Sequence, residues 1–243
     1  VGLVAQSLGR KNWNEIILTV IRNLIQAILF GLMIILLKNP ILFLIEYFFK
    51  TSQETNLLIN KYILIRIFSA PAELIIYVLT GLYLGLQKTR IVSLVISIFC
   101  IGNIILSSIF VIYFNLEING VAFGTLISAY ITVIIFLSLT YHQLKDKFNS
   151  SFTILRIFNS KKIFQLFNIN FDIFVRTIFL TFSFLWITYQ GSKLGENYLA
   201  INTILMQFVM IASFFLDAYA FSTEAVIGYM IGKKSKKYFF QAI

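Results

Sequence analysis

IVSLVISIFCIGNIILSSIFVIYFNLEINGVAFGTLISAYITVIIFLSLT, residues 91–140, decides the fold. It reads as two apolar blocks, 91–114 and 121–140, joined by the short polar turn 115–120. Each block has the length of about 20 residues that a helix needs to cross a bilayer core of about 30 Å. The stretch therefore predicts two transmembrane helices in succession.

The pattern continues on both sides. Apolar blocks at 15–37 and 57–86 precede it and blocks at 163–190 and 198–231 follow, so about six spans are expected. Apolar residues make up 59% of the chain and charged residues 12%. A soluble domain carries about 45–50% and about 25%, and this sequence cannot supply such a domain's polar surface. The expected fold class is all-α integral membrane, a polytopic helical bundle. Pro40 follows the first span, and the apolar stretch 41–49 is predicted to continue that helix beyond a bend, because proline removes a backbone donor. Pro71 lies inside the second span. The sixth is long enough to tilt. The longest polar region, 141–162, holds an apolar-basic stretch at 152–158 that is expected to lie flat on the membrane surface. The chain opens at Val1 without a Met, on a polar, glycine-containing stretch unlike a signal sequence, and is read as part of a longer protein.

A net charge of +10 would suit nucleic acid, but its distribution argues against that partner. The basic residues sit in short loops between apolar blocks. Alternate loops hold Arg10 and Lys11; Lys88 and Arg90; Lys145, Lys147, Arg156, Lys161 and Lys162; and Lys233, Lys234, Lys236 and Lys237. The intervening loops hold far fewer. The positive-inside rule then puts both ends in the cytoplasm of a multi-pass cell-membrane protein, expected in a bacterial inner membrane. Trp13, Tyr47, Tyr62, Tyr113, Tyr141 and Tyr189 fall near span ends, as interfacial aromatics do.

Catalytic motifs do not stand out: there is no phosphate-binding glycine loop and no Gly-x-Ser-x-Gly. The chain reads as no enzyme. A single Cys100 and a single His142 provide neither a disulfide framework nor a Cys/His metal site. Cys100, inside an apolar run, is expected to be a small core residue.

A weak internal repeat links the two ends. VGLVAQSLGRKNWNEII at the start resembles VIGYMIGKKSKKYFFQAI at the close, matching Gly2 to Gly228 and Gly9-Arg10-Lys11 to Gly232-Lys233-Lys234. Two six-helix halves in parallel orientation would produce it, which is a transporter arrangement.

Ionisable side chains at bilayer depth are costly, so each is a functional candidate. Asp172 and Arg176, at i and i+4 in the fifth span, can pair; an ion pair locking two helices and a transport role both fit. Asp217 and Glu224 share a face of the sixth span with no basic neighbour there, which suits cation or proton binding. Arg66 and Glu73 flank Pro71 and read as a structural pair at a kink. Asn103, Thr125, Asn202 and Gln207 can hydrogen-bond across helices. Gly81 and Gly85 have GxxxG spacing, a close-packing signal.

Several segments together resemble the multidrug and toxic compound extrusion (MATE) family, in its DinF-like branch. GLVAQSLGRKNWNE is similar to that family's loop between helices two and three, and RIFSAPAELIIYVLTGLYLGLQKTR to its helix four. GNIILSSIF and NGVAFGTLIS resemble helices five and six, NINFDIFVRTIFL helix seven, and LDAYAFSTEAVIG the end of helix eight. The resemblance runs through the whole chain in order. It implies a twelve-helix, two-lobe transporter of which this chain holds helices three to eight. Residues 1–140 would belong to the N-terminal lobe, 141–162 to the cytoplasmic linker and 163–243 to the start of the C-terminal lobe. It also implies a monomer in membrane lipid that exports small amphipathic cations in exchange for protons or sodium, with no cofactor beyond the coupling ion. The family often pairs an Asn on helix five with an Asp one turn later; here Asn103 is followed by Ser107. On the resemblance Asn103 and Thr125 match polar positions lining the N-terminal lobe, and Asp172, Arg176 and Asp217 match positions of the C-terminal lobe.

Two other functions compete. A lipid-linked oligosaccharide flippase of the same superfamily would favour a cavity rich in Arg and Lys to hold pyrophosphate, whereas Arg176 reads as the one basic residue deep in a span. A polytopic membrane enzyme acting on lipid would place reactive clusters near an interface loop, and none is evident.

Overall fold

The computed structural model describes residues 1–48, 53–147 and 159–234. Its elements are α1 (Gly2–Gly9), α2 (Trp13–Leu36), α3 (Lys38–Phe48), α4 (Gln53–Arg66), α5 (Ala70–Gly85), α6 (Thr89–Ile112), α7 (Glu117–Leu144), α8 (Ser160–Leu194) and α9 (Glu196–Lys233), with single 3-10 turns at Ile67–Ser69 and Lys145–Lys147. Among the described residues six segments are long and apolar enough to span a membrane: Trp13–Leu36, Asn56–Gly85, Thr89–Ile112, Glu117–Lys147, Lys162–Gly191 and Ala200–Lys233. The surface-lying stretch expected at 152–158 falls outside the described residues.

The described chain divides into two compact units, one from Val1–Phe152 with Ala225–Ile243 and one from Thr153–Glu224.

In the first unit, α2 starts where the Asn12 side chain accepts a hydrogen bond from Glu15 N at 3.1 Å, which satisfies an otherwise orphan donor. The bend expected near Pro40 falls just before it. α2 ends at Leu36 and α3 opens at Lys38, so the proline sits in a first turn where its missing donor costs nothing. Pro71 acts the same way in the second span: α4 stops at Arg66, a 3-10 turn follows, and Pro71 stands in the first turn of α5. Its ring is pressed against Gly31 of α2, where a side chain would come within 2.5 Å of Pro71 Cα.

The apolar core gathers toward the end of the bundle where the turns after α1, α5 and α7 meet. Ile16 and Ile17 of α2, Leu79 and Tyr83 of α5, Val95 of α6 and Phe136 of α7 are almost wholly buried there. Tyr83 stacks on Phe136 with ring centroids 5.2 Å apart, and its hydroxyl lies 3.4 Å from Thr140 Oγ1. α6 buries little besides Val95 and turns Leu94, Ile101, Ile104 and Ile105 outward, as a helix bathed by lipid would. Cys100 lies on that outward side, which corrects its expected place in the core: the faces of α6 that touch neighbours are occupied by other residues.

α7 buries an unusual run of hydroxyls, Thr125, Ser128, Thr132 and Thr140. Each donates to a carbonyl one turn back in its own helix, for example Thr132 Oγ1 to Ser128 O at 2.7 Å. A polar group is tolerable in an apolar bundle when its bonds close locally.

In the second unit, α8 begins at Asn159, whose side chain accepts from Lys162 N at 3.3 Å. The polar loop expected at 191–197 shrinks to Gly195, because its φ of 114° is open to glycine and reverses the chain in one residue. Asn202 of α9 packs on Gly191 and donates to Ile187 O at 3.4 Å, the cross-helix bond its position predicts.

Candidate functional site

Three polar groupings lie within the apolar spans. The first is the α6–α7 crossing. Asn103 of α6 donates from Nδ2 to Thr125 Oγ1 at 2.8 Å, and Thr125 in turn donates to Val121 O at 3.0 Å. Thr125 is buried and Asn103 half-buried. One turn along α6, Ser107 faces Gly124. A side chain on Gly124 would strike Ser107 Oγ and come 2.7 Å from Ser107 Cα, so the two backbones meet at this point. Ser107 Oγ is buried without a hydrogen-bond partner. The residue that stands where the resemblance leads one to look for an acid therefore points into a helix seam.

The second grouping is the break in the second span. The Arg66 guanidinium contacts both Glu73 Oε1 and Ser69 Oγ, and Ser69 Oγ lies 3.1 Å from Glu73 Oε1. This is the structural pair at a kink that the spacing predicts. The hydroxyl of Tyr130, from α7, donates to Phe68 O at 3.0 Å. The 3-10 turn frees carbonyls that lipid cannot satisfy, and a neighbouring helix supplies the donor.

A third, between Arg22 and Glu15 of α2, is a correction. Arg22 is only 4% exposed and its guanidinium lies 3.6 Å from Glu15. With Arg66, it shows that Arg176 is not alone among basic residues within the spans. The signal was present: a Glu and an Arg two turns apart share a helix face.

In the second unit, Asp172 and Arg176 stand one turn apart on α8, both exposed. Among the described residues they form no ion pair with each other. Asp217 and Glu224 are exposed on α9. Asp217 lies near the middle of the span Ala200–Lys233 and Glu224 closer to its end. The neighbouring hydroxyls of Thr177, Ser183 and Ser213 all bond back into their own helices, while these acids are turned outward at depth.

The MatE family model matches residues 2–109. The chain is 31% identical over 233 residues to DNA damage-inducible protein F of Escherichia coli (strain K12), covering 96% of this chain and 50% of that protein. Through these matches the chain is similar to the multidrug and toxic compound extrusion (MATE) family. Solved structures of the family share the fold. A MOP superfamily transporter from Pyrococcus furiosus matches with a TM-score of 0.85 at 18% identity, over 99% of this chain and 53% of that one. An outward-facing multidrug resistance MATE transporter matches with a TM-score of 0.86, again at 18% identity, over 99% and 53%. The chain thus spans about half the length of the MATE proteins it matches. MATE members are transporters, not enzymes. The matched stretch of the family model takes in Asn103 and Ser107 and stops before Thr125 and the acids of α8 and α9, which the likeness to the Escherichia coli protein covers.

Proposed function

We propose that the protein works as a cation-coupled antiporter, exporting small amphipathic, cationic compounds in exchange for protons or sodium. On this reading it is a monomer in a bacterial inner membrane, with both ends of the chain in the cytoplasm. One observation carries the reading: Asp217 sits mid-span on α9, exposed, with no basic residue along the apolar length of that helix before Lys233. A lone carboxylate at bilayer depth is expensive while charged and unpaired, and binding a proton, a metal cation or a cationic cargo relieves that cost. The competing flippase reading needs free cations for a pyrophosphate. Arg22 and Arg66 are each paired with an acid of their own span, so neither is free at depth to hold one.

The test is transport by the full-length protein in proteoliposomes loaded with a fluorescent organic cation. Efflux should follow an imposed proton or sodium gradient and collapse with it. Transport of a lipid-linked sugar without organic-cation efflux would overturn the reading.

A further inference from the structure

The basic residues after α1 and α7 do more than orient the chain. The turn between α1 and α2 faces the 3-10 turn Lys145–Lys147 across a cavity of about 540 Å³, lined by Arg10, Lys11, Asn12, Trp13, Asp146 and Lys147 among others. Three of these side chains are cationic and one is acidic. Arg10, Lys11 and Lys147 are exposed to solvent. The ion pairs at Glu15–Arg22 and Arg66–Glu73 involve other groups. The Lys147 ammonium lies 5.4 Å from the centre of the Trp13 ring, a cation–π contact that holds the two turns on either side of the opening.

Depth identifies the occupant. The span Trp13–Leu36 begins in this cavity and the span Glu117–Lys147 ends in it. The cavity therefore lies at the level where apolar helix meets water, with Trp13 as the interfacial aromatic. Lipid phosphates occupy that level. An Arg offers a planar fork that matches phosphate oxygens, and Lys a point charge beside it. Basic pockets at the ends of transmembrane helices hold anionic headgroups in this way. A volume of this size is that of a small-molecule site and accommodates a phosphoglycerol headgroup.

We propose that this cavity binds the phosphate headgroup of an anionic phospholipid such as phosphatidylglycerol. The site adjoins the packing of α1: Gly9, just before Arg10, lies against α9, so a bound headgroup would brace the turn that carries that contact.

The experiment is native mass spectrometry of the full-length protein in detergent, titrated separately with phosphatidylglycerol, phosphatidylcholine and inorganic phosphate. The wild type should retain phosphatidylglycerol in preference to phosphatidylcholine, and millimolar inorganic phosphate should not displace it. The double variant Arg10→Gln/Lys147→Gln should bind phosphatidylglycerol at least tenfold more weakly. The double variant Lys88→Gln/Arg90→Gln, which removes the same charge from a loop outside the cavity, should bind as the wild type does. Both variants alter exposed residues, and their monodisperse yield checks that they fold. Equal weakening by the two variants, or equal retention of both lipids, would overturn the site. Displacement by inorganic phosphate would show a soluble anion in the headgroup's place and would also overturn the proposal.

Discussion

Gly9 and Gly232 meet backbone to backbone. A side chain on Gly9 would come 3.0 Å from Gly232 Cα and 2.9 Å from Lys233 N, and would strike Tyr229 O. A side chain on Gly232 would strike Gln6 O in return. Gly228 likewise sits against Gly2 and Ala5. The glycines that the internal repeat aligns are thus the residues through which α1 and the last turns of α9 touch. Lacking a hydrophobic drive in lipid, helices associate through close packing of small residues, and this seam depends on having no Cβ.

Alanine at either end of that seam should destabilise the protein by about 1–3 kcal/mol, the usual cost of overpacking. The thermal unfolding of detergent-extracted protein should fall for Gly9→Ala and for Gly232→Ala. Gly81→Ala provides the contrast, since its nearest neighbour would be Val1 N at an ordinary 3.8 Å; it should leave the melting temperature unchanged or raise it. Equal effects from all three would show that helix propensity, not the seam, is being measured.

The α6–α7 crossing yields an asymmetric pair of outcomes. Ser107 Oγ is buried and unpartnered, and a buried hydroxyl without a bond costs about 1–3 kcal/mol relative to one satisfied. Ser107→Ala should therefore be neutral or raise stability slightly. Gly124→Ala should lower it by about 1–3 kcal/mol, because the added methyl would meet the Ser107 backbone. A clear loss of stability on Ser107→Ala would mean that the hydroxyl finds a partner in the membrane.

Much of this architecture was legible before any coordinates. Six apolar blocks of the right length became six spans, because lipid leaves a helix no alternative way to satisfy its backbone. The Arg66–Glu73 pair followed from its spacing about Pro71, and Asn103 bonds Thr125 across two helices as their polarity allows. What escaped depends on three-dimensional approach. GxxxG spacing marked Gly81 and Gly85 equally, yet only Gly85 is crowded, with Val4 Cβ 2.7 Å from where its side chain would stand. Periodicity gives the face of a helix but not which neighbour covers it, and for that reason Cys100 faces outward and Ser107 faces a glycine. An Arg near the start of a long apolar block looks like a loop charge, and the seven-residue spacing of Glu15 and Arg22 allows a pair that the burial of Arg22 beside Glu15 makes plain.

Orientation can be checked directly. The turns at 87–88 and 145–147 carry the basic clusters and should face the cytoplasm, and the turn at 113–116 should face outside. Cys100 is exposed and must first be replaced by Ser. In that background, Asn115→Cys should react with an impermeant maleimide added to intact cells, and Lys88→Cys should react only after lysis. Labelling of Lys88→Cys in intact cells would invert the topology.

Ion coupling supplies the final prediction. Ser107 removes the acid expected on the helix-five position of the family, and its hydroxyl is turned into a packed seam where no ion can approach without parting α6 from α7. The acids at depth on the later helices are then the candidates, and they differ. Asp172 shares its helix face with Arg176 one turn away, so a positive charge travels with it through any movement. Asp217 has no such companion on α9. A coupling group must alternate between holding an ion and releasing it, and a fixed positive charge one turn away repels the cation it would hold. Asp217→Asn keeps size and shape while removing the charge, so the variant should insert and remain monodisperse yet lose gradient-driven export by tenfold or more. Asp172→Asn should retain a substantial part of it. The comparison is efflux from proteoliposomes under an imposed proton or sodium gradient, normalised to reconstituted protein. Wild-type export by Asp217→Asn would move the coupling site off Asp217.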